Sequence, residues 1–131
     1  MKLTKQQKMK YNPELKASIP AYFKYVIIVE GSGMIPIMNR VGFTKVYALH
    51  ETGRSIKERV EQIMIQINKK DKVCILTDFD KKGKDLYMLV KPMFQELGAK
   101  LDSSLRGLLL KGQFEHVEEI SKFFENLDKV I

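Results

Sequence analysis

Two aspartates one residue apart, Asp78 and Asp80 in CILTDFDKKGKDL, close an apolar run that starts at Cys74 and are the residues best placed to do chemistry. If that run is a strand, residues i and i+2 point to one side, roughly 6 to 7 Å apart by the strand rise. At an effective dielectric of ~20 two such carboxylates repel by about 2 kcal/mol, and a cation would relieve them. A third carboxylate, Glu30, ends another apolar run, YVIIVEG. In a parallel sheet, ligands gather beyond the carboxyl ends of the strands where the order of connections reverses. If the first and third strands are neighbours, Glu30, Asp78 and Asp80 converge, and hard, oxygen-seeking Mg²⁺, or Mn²⁺ in its place, suits that donor set. Taken alone, DFD has a plainer reading, in which Asp80 caps the following helix and Asp78 is a solvated loop acid.

With a metal present, Asp78 and Asp80 would hold it against phosphate oxygens. Glu30, placed near the phosphate rather than on the metal, would carry a proton as general base or acid. Lys81, Lys82 and Lys84 come directly after and could bind flanking phosphates, with Arg54 and Arg106 as further candidates. A solvated helix face accounts for the lysines equally well. Ser32 and Gly33 either offer backbone N–H groups to a phosphate or form a simple tight turn. His50 and His116 lie far apart without metal-ligand spacing, and neither is assigned chemistry.

These residues need strands to carry them. From Tyr25 the chain alternates short apolar runs with longer amphipathic stretches, the pattern of βαβ units around a mainly parallel sheet with helices on both faces. The spacing predicts a strand to Val29, a helix over 34–41 stopped by Gly42, and a second strand in TKVYALH. A helix over 55–68 comes next, with Ile56, Val60, Ile63 and Ile67 on one face and capping-box spacing between Ser55 and Glu58. KVCILTD, apolar throughout, reads as a central strand. Its helix runs from 81 or 82 to Leu97, with a kink or break at Pro92 and a stop at Gly98. AKLD reads as a short fourth strand, LRGLLLKG as irregular basic chain, and residues 116–127 as a closing helix. Met34, Met38, Met64, Met88 and Met93 sit where helix packing would use them.

The sequence has 131 residues, 44% of them apolar, which suits one globular α/β domain. A single cysteine, Cys74, excludes an internal disulfide and a thiolate metal cluster. No apolar stretch reaches the ~20 residues of a membrane span, and MKLTKQQKMK lacks the apolar core of a signal peptide, so a cytoplasmic location and no membrane partner are expected. The net charge of +7 is uneven: residues 1–24 carry six lysines against Glu14. That segment reads as a basic arm, able to hold phosphate backbones or simply solvated, ahead of a single domain over 25–131. Pro13 and Pro20 argue against a continuous helix in it, and Tyr22, Phe23 and Tyr25 should anchor its end.

VIIVEG and ILTDFDKKGKDL, in that order and separated by a βα unit, resemble the Toprim domain shared by topoisomerases, primases and small nuclease-like proteins. The resemblance runs from about Tyr25 to Asp102 and rests on Glu30 with Gly31, on Asp78-Phe79-Asp80 with Gly83, and on the turn holding Thr52 and Gly53. It implies a three-layer, Rossmann-like sheet of about four strands, Mg²⁺ as cofactor and nucleic acid as partner. At this length the chain looks like a small stand-alone member, similar to the catalytic part of the ribonuclease that matures 5S ribosomal RNA. RNA is therefore the favoured substrate, with DNA as the second. LRGLLLKG and FEHVEEI also resemble the segments on the C-terminal side of the domain in such relatives. One departure is Met34, where the family commonly has a further acid four residues after the glutamate. Either three carboxylates suffice, or the chain is a non-catalytic nucleic-acid-binding module. A phosphoryl-transfer enzyme or response receiver fits less well, because each would want its acidic motif after the first strand.

Overall fold

Val26–Val29 (β1) is apolar at every position because the strand is covered on both faces. Ile27 and Val29 enter one core with Cys74 and Leu76, while Val26 and Ile28 enter another with Val73 and Ile75. Lys72–Ile75 (β3) runs parallel on one side of β1 and Lys45–Ala48 (β2) parallel on the other. The two-residue Lys100–Leu101 (β4) lies beyond β3, giving the order β2-β1-β3-β4 in the computed structural model, which describes residues 13–122. A sheet with both faces buried and all strands parallel is the α/β architecture the apolar runs imply.

Pro13–Ser18 (α1) and the 3-10 turn Ile19–Tyr22 place Leu15 and Ile19 in the first core, with Tyr22, Phe23 and Tyr25 packed around it. Among the described residues, anchorage of the N-terminal segment is already present at Leu15, earlier than the sequence suggests, and Lys2, Lys5, Lys8 and Lys10 lie outside the described residues. Met34–Val41 (α2) joins β1 to β2 and buries Met38 in the same core. It ends at Gly42, whose φ of 135° and contact with the Phe23 ring leave no room for a side chain. Ile56–Gln66 (α3), capped by Ser55 accepting from the Glu58 N–H, covers the opposite face through Val60 and Ile63. Lys81–Glu96 (α4) joins it there with Val90 and Phe94.

Four expectations are corrected. LRGLLLKG is not irregular chain but belongs to Ser104–Lys111 (α5), which buries Leu105 and Leu109 one turn apart in the first core. The closing helix does not include His116: residues 115–118 form bends and turns, helical backbone starts at 119, and 123–127 lie outside the described residues. Pro92 neither breaks nor ends α4, which is continuous over its 16 residues. The carbonyl that loses its donor belongs to Met88, which is 68% exposed, so water can satisfy it. That exposure also removes Met88 from the packing role assigned to it. Cys74 is buried in the first core, and burial pushes its thiol up to about 12, which makes it inert. Among the described residues no helix is long and apolar enough to cross a membrane.

Candidate functional site

The sheet reverses its order of connection between β1 and β3, since the chain goes from β1 out to β2 and returns to β3 on the other side. Loops at such a point diverge and leave a crevice at the strand ends. The β1–β3 ladder continues past β3 through the Leu76 N–H to the Ile28 carbonyl at 2.7 Å, which brings Glu30 level with Thr77 and Asp78. There the Asp78 N–H donates to Glu30 Oε1 at 3.0 Å. On the other side, the His50 N–H donates to the Glu30 carbonyl at 2.9 Å. Glu30 is therefore held from both flanking strands and fastened to the aspartate loop by its side chain.

Each aspartate is tied by one oxygen and turned inward by the other. Asp80 Oδ1 accepts the Gly83 N–H at 2.8 Å, the N-cap of α4. Asp78 Oδ1 accepts the Val117 N–H at 2.8 Å. The two Oδ2 atoms then face a common spot, 3.4 Å from His116 Nδ1 for Asp78 and 4.0 Å for Asp80. Asp80 thus serves the helix cap and the cluster together, so the two readings of DFD do not exclude each other. Gly83 sets the approach of α4: a Cβ there would sit 2.1 Å from the Asp78 carbonyl oxygen. The Thr77 hydroxyl donates to the Gly83 carbonyl at 2.7 Å, closing the turn beneath the aspartates.

Arg106 holds this turn from below. It is 7% exposed, donates from Nη1 to the Thr77 carbonyl at 2.6 Å, and stacks on the rings of Phe79 and Tyr87 at 4.7 and 4.3 Å. A longer Nη2 contact reaches the Asp78 carbonyl at 3.4 Å. Burial pulls its pKa below the usual arginine value, with nearby Tyr87, Asp78 and Glu30 opposing. Both terminal nitrogens donate to the aspartate loop, and the buried guanidinium does not take the solvent-facing position a phosphate contact requires. Lys81, Lys82 and Lys84 are exposed in the first turn of α4, and Arg54 is exposed in the loop after β2. Ser32 and Gly33 are exposed at the start of α2, which has no side-chain cap.

His116 was not legible as a site residue. Among the described residues, Asp78, Asp80 and His116 gather ligand atoms within 4.8 Å of one another, and Glu30 is not in that group. The hydrogen bond that the ring donates to Asp78 raises the histidine's pKa, and the two aspartate charges favour the imidazolium further. When protonated, the ring supplies the positive charge the pair demands. The sequence signals were indirect: the resemblance of FEHVEEI to the segment that follows the domain in small relatives, and the spacing of three between Phe114, Val117 and Ile120, which prove to be buried with His116 beside them.

The Toprim domain model matches residues 25–107. The chain belongs to the Toprim family. A solved structure of a protein from Aquifex aeolicus resembles it with a TM-score of 0.67 and 24% identity, covering 83% of this chain and 98% of that one, a likeness that shows the fold. Comparison with curated proteins gives no match. Toprim membership implies a metal-binding function connected with nucleic acid, and the donor set fits: two carboxylate oxygens with backbone-fixed partners face one spot beside an imidazole nitrogen. Met34, in the Toprim position for a further acid, opens α2 and packs against the first core. The segment 108–122, with His116, lies beyond the Toprim match.

Proposed function

We propose that this chain is a Mg²⁺-dependent phosphodiester enzyme that cleaves RNA, with DNA as a second class of substrate and Mn²⁺ as a substitute metal. The observation that carries the reading is the pair of Oδ2 atoms turned to one spot while each Oδ1 is tied to a backbone N–H. Two carboxylate oxygens brought together in this way call for positive charge between them, which a bound cation would supply.

Asp78 and Asp80 would hold the cation, which when bound neutralises charge on the phosphate under attack. With Oε1 of Glu30 engaged by the Asp78 N–H, Oε2 is the oxygen that would accept or return a proton at the reacting phosphate. Lys81, Lys82 and Lys84 stand in the first turn of α4, where no acidic residue is present and the helix dipole disfavours positive charge. Cations placed against that dipole beside the aspartates suit an anionic ligand, and the uncapped start of α2 at Ser32 and Gly33 offers a second phosphate contact. Arg54 lies at the same end of the sheet, in the loop after β2.

The test is cleavage of structured RNA and single-stranded DNA by purified protein with and without Mg²⁺ or Mn²⁺. Metal-dependent products that disappear in Asp78→Asn/Asp80→Asn support the reading, and products equally abundant in that variant sink it. Met34 favours a second reading, a non-catalytic nucleic-acid-binding module, because the first turn of α2 contributes no carboxylate. A parent that binds RNA without cutting it, and stays inactive as Met34→Asp, would establish the module.

A further inference from the structure

We propose that His116 is a metal ligand through Nδ1, so that the centre is a mixed nitrogen and oxygen site preferring a first-row transition cation, with Mn²⁺ as its representative, over Mg²⁺. The inference deepens the metal-dependent reading above and rests on its two-aspartate site.

The imidazole is delivered by a segment fixed on both sides of it. The Glu115 carbonyl accepts the Phe79 N–H at 2.9 Å, and the Val117 N–H donates to Asp78 Oδ1 at 2.8 Å. The His116 N–H itself donates to Glu119 Oε1 at 3.1 Å, and Phe114 and Val117 are both 2% exposed in the first core. Three residues of this strap thus bond to the aspartate loop or to their own turn, and the ring between them is aimed at the two Oδ2 atoms. Its Nδ1 lies 3.4 and 4.0 Å from them. Donors around one small divalent ion, at bonds of about 2.1 Å, lie roughly 3 to 3.4 Å apart, so both nitrogen–oxygen spans close by about an ångström or less, and all the ligand atoms already lie within 4.8 Å of one another. The ring is 45% exposed at its side chain and has room to make it.

The chemistry of the donor decides the selectivity. Carboxylate and water ligands suit Mg²⁺, whereas an imidazole nitrogen adds affinity for Mn²⁺ and later first-row ions and little for Mg²⁺. Met34, where the family commonly has a further acid, packs against the first core and contributes no additional carboxylate. The competing role for His116 is an internal countercharge that fills the cation's place. The two roles predict opposite effects of removing the ring.

The experiment is titration of Mn²⁺ and Mg²⁺ into the full chain as parent, His116→Ala and His116→Gln, with pulsed electron paramagnetic resonance of the Mn²⁺ complex. His50→Ala, an exposed histidine beyond the end of β2, is the control for nonspecific imidazole binding. The expected result is nitrogen modulation from a directly bound ring in the parent and the His50 variant, lost in both His116 variants. Mn²⁺ affinity should fall by roughly 10-fold or more in those variants while Mg²⁺ affinity changes far less. Unchanged Mn²⁺ to Mg²⁺ selectivity, absent nitrogen modulation, or tighter Mg²⁺ binding without the ring would overturn the ligand role and leave the aspartate site standing. A parent that binds neither ion would overturn both.

Discussion

Glu30 joins two roles that one substitution separates. Its Oε1 accepts the Asp78 N–H at 3.0 Å, a structural bond that glutamine can also make, while its basicity is what proton transfer would use. Glu30→Gln should therefore leave metal and substrate binding in place and lower turnover by roughly 10² to 10⁴, or about 3 to 5 kcal/mol of barrier. Single-turnover cleavage alongside Mn²⁺ titration checks this, and a variant that cuts as fast as the parent removes Glu30 from proton transfer. The types and spacing of Glu30, Asp78 and Asp80 were readable in the sequence because each closes an apolar run. His116 was not, since its approach to Asp78 spans 38 positions and depends on how the segment after α5 packs.

At the scale of elements, the site depends on how closely α4 can approach the aspartate loop. Gly83 permits it, and the atom a methyl group would meet is backbone, the Asp78 carbonyl oxygen, which cannot step aside alone. Gly83→Ala should cost about 1 to 3 kcal/mol and weaken Mn²⁺ binding by displacing Asp78 from Asp80. Gly33→Ala, where a Cβ meets nothing within 4 Å, should be nearly neutral by the same urea denaturation and titration. Arg106 supports the loop from α5. Lysine keeps its charge but not the planar fork that reaches Thr77 and Asp78 between two rings, so Arg106→Lys should lose about 2 to 3 kcal/mol. It should also lower metal affinity, and equal affinity at lower stability would reduce Arg106 to a packing residue. The helix that carries it was missed from sequence because Gly107 interrupts it and a buried arginine breaks its apolar pattern.

For the whole molecule, charge sets two further expectations. Leu15 and Ile19 are buried, so an N-terminal deletion that spares the core stops before them. Removing residues 1–10 takes away Lys2, Lys5, Lys8 and Lys10, and each phosphate contact so lost should flatten the log–log salt dependence of RNA binding by about 0.7 to 0.9. An unchanged slope would mean those lysines make no phosphate contact. Stability against acid rests on carboxyls held below their ordinary range: Asp71 by a hydrogen bond from Lys45 and Asp102 chiefly by hydrogen bonds from Ser104. A depressed carboxyl takes up its proton more readily when unfolded, so its contribution is complete above the usual value of about 3.9 and is lost as pH falls through the folded value. Urea midpoints should fall over that acid range, and Asp71→Asn should flatten the fall. A parent and variant with parallel profiles would dismiss the Lys45 pair.

By itself the sequence determined the parallel α/β layout, the placing of Glu30, Asp78 and Asp80 at strand ends and the helices between the strands, because all of these are written in local periodicity. Runs buried on both faces must be apolar at every position, as VIIV and VCIL are, and helices between them must be apolar on one side. The carboxylates mark the ends of those same runs. Only the tertiary structure decided which donors meet. The order β2-β1-β3-β4 sets Glu30 beside Asp78, the approach of α4 turns the aspartate oxygens inward, and the segment after α5 brings His116 to them. Such contacts depend on strand order and on packing between residues far apart in the chain, and neither leaves a periodic trace in it.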